Sequence, residues 1–333
     1  MEEGEIRKSR TWVWALVIII VLAGVGGGVY FLIKKDKPDN STDSTSSSKS
    51  SVTATAEQWE AGGEIVLANT TSSDTHKISD NLFRMYYMGK GGILYTESSD
   101  GIKFGEGVQT GVTEDPGKMI SNPSVQKIYD GKWIMIYEEQ PQKAPGSNQK
   151  TPLGPSTQRN LYRATSADGK TFTKVGLAID SSKDDNYFAS VPELVLLADN
   201  SIAIYYVSGG EGIALSVSKD EGKSWDWQGI VFKEGVDPDI VKAKDGKWLM
   251  YYSLLDPGEN AISKAVSSNG EDWTKVGEVL DSGSDTNAIV DPDIVEISNN
   301  NYIMFYGMSE SATSTGGDTI NLYRATYDGD IFD

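Results

Sequence analysis

The chain contains no cysteine and a single histidine, His76. Disulfides and thiolate metal sites are therefore excluded, while an oxidising compartment stays open to it. Basic residues are scarce, at 30 Lys and Arg against 48 Asp and Glu, for a net charge of −18. Residues 1–57 hold seven basic and seven acidic side chains, so the whole deficit falls on residues 58–333. A domain of that sign lacks the basic face that phosphate binding needs, which argues against a nucleic-acid partner and leaves room for cations.

Uninterrupted apolar sequence is confined to Trp12–Ile33 (WVWALVIIIVLAGVGGGVYFLI), 22 residues without a charge. That length spans a bilayer as a helix. A cleaved signal peptide would have an apolar core about half as long, ending at a small-residue cleavage site. The expected organisation is a short tail at 1–11, a transmembrane anchor at 12–33, a flexible linker at 34–58 and a folded domain at 59–333. The Ser/Thr-rich linker (DKPDNSTDSTSSSKSSVTATAE) cannot bury enough apolar surface to fold and reads as a stalk. Arg7, Lys8 and Arg10 before the span balance Lys34, Lys35 and Lys37 after it, so charge alone does not orient it. The stalk favours a single-pass protein of the cell membrane with its C-terminal domain outside.

The hexapeptide VDPDIV occurs at Val236–Val241 and again at Val290–Val295. Ten residues after its Pro238 and Pro292 come WLMYY and YIMFY, and the same interval links Pro123 to WIMIY and Pro192 to IAIYY. A fifth copy, FRMYY, has Ser73 in the place of the proline. Each is followed by a second element: SSDGIKF, SADGKTF, SKDEGKSW, SSNGEDW and TYDGDIF. Asp-Gly and Asn-Gly pairs mark tight hairpins, because Gly accepts a positive φ. The aromatic runs show no polar alternation, which implies strands buried on both faces. Units of about 50 residues with four strands each predict an all-β, five-bladed β-propeller of four-stranded blades. The last unit lacks its outer strand, and WEAGGEIVL near residue 59 resembles WTKVGEVL near 273. Gly63–Leu67 is therefore expected to complete the last blade and close the ring.

These motifs resemble the five-bladed propellers of the arabinanase, levansucrase and invertase superfamily, closest to glycoside hydrolase family 43. SKDEGKSW also resembles the Asp box of sialidases, a structural turn. The family resemblance implies a base and a pKa-modulating Asp immediately before the proline on the first two blades. It also implies a Glu acting as the general acid two residues before the proline on the third. Here those positions hold Ser72, Asn122 and Ser190, so the family's triad is not matched. Asp237 and Asp291 do occupy the position before proline, on the fourth and fifth blades. Renumbering the ring from them leaves Thr71 where the Glu is required.

The residue after the aligned proline is Asp74, Ser124, Glu193, Asp239 and Asp293 around the five units. Innermost strands bring these acids toward one axis, where they raise one another's pKa. The candidate catalytic acids are Asp74, Glu193, Asp237 and Asp291. Asp239 and Asp293 are candidate ligands for a hard cation; calcium would suit them, and no cofactor is required. The alternative is that these carboxylates accept backbone N–H groups and pin the turn. His76, two residues beyond Asp74, is either a site residue or a packed one.

The loops gathered on one face are long: 138–158, 181–190 and 308–319. Long loops on one rim carry function, so candidate substrate-binding residues are His76, Asn122, Tyr187 and Phe188, with Arg163 and Arg324 from the twin NLYRAT stretches. The opposite face carries short turns and is expected to have little room for a pocket. Two readings stay open, a glycosidase-like hydrolase of extracellular oligosaccharide and a non-catalytic propeller displaying its rim to a glycan or protein partner.

Overall fold

The computed structural model describes residues 17–19, 30–32, 56–128, 131–142, 152–243, 245–256, 259–283, 287–310 and 319–332. The expected anchor at 12–33 lies outside the described residues except for strands β1 (Val17–Ile19) and β2 (Tyr30–Leu32), which pair antiparallel. Among the described residues no helix is long and apolar enough to cross a membrane. Most of the linker also lies outside them.

The rest of the chain builds five antiparallel sheets of four strands. The first blade is β4 (Asp74–Ser79), β5 (Leu82–Gly89), β6 (Gly92–Ser98) and β7 (Val108–Thr113). The second is β8 (Lys118–Lys127), β9 (Trp133–Pro141), β10 (Asn160–Ser166) and β11 (Thr173–Ile179). The third is β12 (Ala189–Leu196), β13 (Ile202–Ser208), β14 (Gly212–Ser218) and β15 (Asp226–Phe232). The fourth is β16 (Val236–Lys242), β17 (Trp248–Asp256), β18 (Glu259–Ser267) and β19 (Thr274–Asp281). The fifth takes β20 (Ile289–Ser298), β21 (Asn301–Glu310) and β22 (Thr319–Asp328), and its fourth strand is β3 (Glu60–Ala61) from the other end of the chain.

Closure by the N-terminal segment is thus realised, with its register displaced from the expected one. Glu60 and Ala61 pair with Thr326 and Ala325, and the chain then leaves the ladder until Leu67 returns opposite Leu322. Val66 N–H donates to Leu322 at 2.7 Å, and Leu322 N–H to Leu67 at 2.9 Å.

The aromatic second strands are buried along their length, as an absence of alternation predicts: every residue of β13 and all but the last of β9 is buried. Their side chains fill the gaps between blades rather than one central core. One cluster joins the first blade to the second through Tyr86, Met135 and Phe172, and another joins the third to the fourth through Tyr205, Met250 and Tyr252. Each such side chain contributes about 1.5–3 kcal/mol on burial, and a ring of such seams leaves the axis itself to the polar first strands.

The Asp-Gly turns are structural. In the first, Asp100 accepts Ile102 and Lys103 N–H at 2.8 and 2.9 Å, and Gly101 N–H donates to Ser98 Oγ at 2.9 Å. Asp168 and Asp220 repeat the arrangement. Backbone donation holds Asp100 and Asp168 at about 2, and the Ser224 hydroxyl together with backbone donation holds Asp220 there. Gly169 shows why Gly is needed: its φ is 69°, and a Cβ would lie 2.8 Å from the Trp133 ring.

Candidate functional site

The five first strands share one distortion. The residue before the aligned proline has a positive φ in every blade: Ser72 (53°), Asn122 (50°), Val191 (45°), Asp237 (52°) and Asp291 (52°), with Ser73 in place of proline in the first. Register skips there in four blades, between Ser121 and Ser124, Ser190 and Glu193, Val236 and Asp239, and Val290 and Asp293. Proline has no N–H to give the ladder, and its ring disfavours the right-handed helical region for the residue before it. Left-handed backbone at a non-glycine residue costs on the order of 1–3 kcal/mol. The repeated DPD therefore encodes a bulge that turns the polar residues on both sides of the proline toward the axis.

What those residues do there is hold neighbouring blades together. Asp293 of the fifth blade accepts Thr75 N–H at 3.1 Å, Thr75 Oγ1 at 2.7 Å and Ser73 Oγ at 2.7 Å. Asp74 of the first blade accepts Val125 N–H of the second, and Ser124 Oγ of the second accepts Leu194 N–H of the third at 2.9 Å. The same step from one blade to the next recurs with different side chains. Asp291 accepts Thr71 Oγ1 and Ser72 Oγ, each at 2.7 Å, across the junction where the ring closes.

Asp74, Asn122, Glu193, Asp237, Asp239, Asp291 and Asp293 line a single cavity on the axis, so the structure brings together the acids selected from the sequence. Its volume is only about 20 Å³. That is room for a water molecule and not for a sugar ring. Burial is the main cause of the acids' behaviour. It pushes Glu193, Asp237 and Asp239 well above the carboxylate range, aided for Glu193 by the charges of Asp239 and Asp74, for Asp237 by Asp291 and for Asp239 by Asp293 and Asp74. Asp293 rises to about 6 and Asp291 also rises, both from burial opposed by hydroxyl donors. Asp237 Oδ2 and Asp239 Oδ2 are buried without a hydrogen-bond partner. Protonation relieves both the repulsion and the unpaired charge.

His76 sits beside this ring, outside the cavity lining. Its Nε2 is 2.9 Å from Asp74 Oδ1, within ion-pair range but not aligned as a hydrogen bond, and its side chain is 26 % exposed. Burial would depress the imidazole, yet the Asp74 carboxylate outweighs it and raises the pKa. Its ring also meets Tyr86 and Trp133 edge-on, which is the packed reading.

The other candidates disperse. Phe188 is buried under the 181–190 segment with Val207, its ring 4.9 Å from the Arg159 guanidinium, and cannot stack on a sugar. Tyr187, at φ 65°, stays partly exposed. Arg163 reaches the turn side of the second blade, where Nη1 donates to Glu221 carbonyl at 2.8 Å, and Arg324 pairs with Glu64 at 3.3 Å. Neither arginine lines the axial cavity. Among the described residues no three His, Asp or Glu side chains are grouped as a metal site requires.

Sequence reasoning missed Glu138, treated there as the start of a loop. Strand β9 runs on to Pro141 and buries Glu138 completely. Its carboxylate accepts Arg159 Nη1 at 2.9 Å, Asn122 Nδ2 at 2.7 Å and Ser190 Oγ. Two of the three positions where the resemblance places catalytic acids thus donate to this one glutamate. The signal was EEQ running directly on from a strand buried on both faces, with no turn residue between.

The opposite face also differs from expectation. Its short turns flank a groove of about 800 Å³ beside the second and third blades, lined by Lys132, Arg163, Thr173 and Lys223 among others.

No family model matches the chain, and no curated protein matches it. Solved structures do. A family 117 glycoside hydrolase from Zobellia galactanivorans superposes with a TM-score of 0.60 at 11 % identity, covering 83 % of this chain and 89 % of that one. An endo-arabinase from Bacteroides thetaiotaomicron gives 0.56 at 14 % identity over 81 % and 97 %. An arabinanase from Bacillus subtilis gives 0.55 at 17 % identity over 79 % and 95 %. A thermostable family 43 glycoside hydrolase gives 0.56 at 16 % identity over 80 % and 92 %. The chain has the five-bladed propeller fold of these glycoside hydrolases.

Proposed function

We propose that the chain is a glycosidase-like propeller that recognises oligosaccharide on its long-loop face without cleaving it, displayed outside the cell on an N-terminal membrane anchor. One observation carries the non-catalytic part. Asp74, Asp291 and Asp293 are committed to neighbouring blades, and all the axial acids surround a cavity of only about 20 Å³. Glycoside hydrolysis needs two carboxyl groups presented to the glycosidic bond. Here the three family positions hold Ser72, Asn122 and Ser190, all donating to buried acids. Carbohydrate as the ligand is supported by the solved structures that share the fold, glycoside hydrolases by name. It is also supported by Tyr187, a partly exposed ring on the loop side. The anchor is supported by the uncharged run at 12–33 and the Ser/Thr stalk.

A hydrolytic reading has one observation in its favour. Asp237 is a buried carboxyl with an unpaired oxygen at the cavity, and burial pushes it well above the carboxylate range, the direction a general acid requires.

The experiment is a screen of the purified full chain in detergent against plant, fungal and bacterial oligosaccharides, recording binding and reducing-end release together. Binding without release is expected. Release that disappears in Asp237→Asn would replace this reading with the hydrolytic one. Neither binding nor release across the panel would remove carbohydrate altogether and leave a protein partner. Protease digestion of intact cells tests the topology, with loss of the propeller expected.

A further inference from the structure

The propeller holds four arginines, and three of them face a glutamate: Arg84 meets Glu97 at 2.8 Å, Arg159 meets Glu138 at 2.9 Å and Arg324 meets Glu64 at 3.3 Å. Arg163 is the exception. Among the described residues it has no carboxylate at ion-pair distance, and its one hydrogen bond goes to the backbone carbonyl of Glu221 at 2.8 Å. Asp220 and Glu221 act on it only through their charges, from beyond ion-pair distance, so this half-buried guanidinium keeps its donors free of any carboxylate contact.

Its surroundings give it a use. Glu221 belongs to the turn of the third blade, so the bond fixes the Arg163 head across the seam from its own strand. There it lines the groove of about 800 Å³, together with the amines of Lys132 and Lys223. Thr165 and Thr173, direct cross-strand neighbours, add two hydroxyls, and exposed Val175 adds apolar surface. A volume of roughly 300–1,000 Å³ with a few convergent polar groups is that of a small-ligand site. Two acids also line the groove. Asp168 is occupied by Ser166 Oγ and the N–H groups of Lys170 and Thr171 at 2.8, 2.8 and 2.9 Å, and the Glu221 carboxylate faces Lys132 at 3.9 Å. Asp220, whose charge also reaches Arg163, is taken up by Ser224 Oγ and the N–H groups of Lys223 and Ser224. The three cations of the groove thus meet acids that already have donors, in a higher proportion of bases than the whole chain has.

We propose that this groove is a second ligand site, on the face opposite the long loops, which takes a sugar-sized molecule bearing an oxyanion. Arg163 receives the anion, for which a planar guanidinium is suited by its paired donors, and Lys132 and Lys223 add charge. The threonine hydroxyls and the apolar wall face the remainder of the ligand. A sugar acid and a sugar phosphate offer the same oxyanion chemistry. The site does not depend on the long-loop reading.

Isothermal titration calorimetry of the purified full chain with glucuronate, glucose 6-phosphate and glucose tests it. At least one of the two anions should bind saturably, more weakly as salt rises, and glucose should not; which anion binds tells carboxylate from phosphate. Arg163→Gln should weaken binding roughly tenfold or more, the loss of a charge-assisted pair. Arg324→Gln, the same change in the twin stretch of the fifth blade, should leave it unchanged. A melting curve checks that Arg163→Gln is folded; if it is not, Lys223→Gln at an exposed position should still weaken binding several-fold. The proposal is overturned if neither anion binds, if glucose binds equally well, or if the folded variants bind like the parent chain.

Discussion

The Glu57 carboxylate and the Lys264 ammonium meet 2.7 Å apart, with side chains only 4 % and 5 % exposed. Glu57 also accepts the hydroxyl of Tyr251, and Lys264 donates to Ile331 carbonyl at 2.6 Å. Two residues on from Glu57, Trp59 packs between Tyr251 and Tyr327, and its backbone N–H donates to the Val279 carbonyl at 2.9 Å. Glu57, at the end of the expected linker, and Trp59 thus fasten the chain between the fourth and fifth blades before it supplies the strand that closes the ring. The last residues of the 34–58 segment are therefore packed on the propeller.

Removing one partner of a buried pair leaves the other charge uncompensated, at a cost of about 3–5 kcal/mol. Glu57→Ala and Lys264→Ala should each lower the unfolding free energy in urea by that order, and the double variant by clearly less than their sum. Trp59→Ala should also lose about 3–5 kcal/mol. Losses under about 1 kcal/mol in all three would show that closure by this segment is dispensable.

The axial acids set a pH dependence. A folded-state pKa above the unfolded one means that the folded chain binds more protons, so stability falls as pH rises between the two values. For Asp293, raised from 3.8 to about 6, the difference is about 3 kcal/mol, present below pH 4 and lost as pH passes 6. Glu193, Asp237 and Asp239 act in the same direction, and so does raised His76, whose stabilisation is lost as pH rises above its unfolded 6.5. The turn aspartates at about 2 act oppositely, their contribution being lost as pH falls from 3.8. Calorimetry should therefore show a melting temperature higher at pH 5.5 than at pH 8 and falling again below pH 4. Asp293→Asn should flatten the upper limb. A melting temperature that climbs from pH 5.5 to 8 would contradict the assignment.

How far the sequence reached can be seen at Asp74 and Glu138. The period shows because each blade repeats the same local chemistry: a bulge at proline, an aromatic strand with no exposed side, an Asp-Gly turn. Convergence of Asp74, Glu193, Asp239 and Asp293 followed from that register alone. That Asp74 meets the N–H of Val125, 51 residues away, did not, because it depends on the angle between adjacent blades. Glu138 was hidden by the habit of ending a strand at its first charge, whereas Arg159, Asn122 and Ser190 compensate that charge within the fold. The groove at Arg163 was equally invisible, since its walls are turns of two blades that lie far apart in sequence.

The two aromatic candidates of the 181–190 segment should separate experimentally. Phe188 is packed against Arg159, so Phe188→Ala should cost about 3–5 kcal/mol in stability and weaken glycan binding only through unfolding. Tyr187 is partly exposed, so Tyr187→Ala should leave stability within about 1 kcal/mol and reduce glycan binding. Unchanged binding in folded Tyr187→Ala would move the sugar contact off this ring.

The axial bulge offers a direct test of strain at Val191. Four of the five positive-φ positions before the aligned proline hold Ser, Asn, Asp and Asp, but the third blade places a β-branched residue there at φ 45°. A left-handed backbone costs an ordinary L-residue about 1–2 kcal/mol, and Asn tolerates it because its short polar side chain bonds locally. Val191 lies against the Phe188 and Val207 cluster, so replacing it also forfeits some apolar contact. Relief of backbone strain should exceed that loss, because Val191 is only partly buried and belongs to the smallest cluster of the fold. Val191→Asn, the residue that the second blade already uses at Asn122, should raise the unfolding free energy by about 0.5–1 kcal/mol in urea titration. A destabilised variant would mean that the valine methyls hold the mouth of the axial cavity more firmly than the backbone geometry requires.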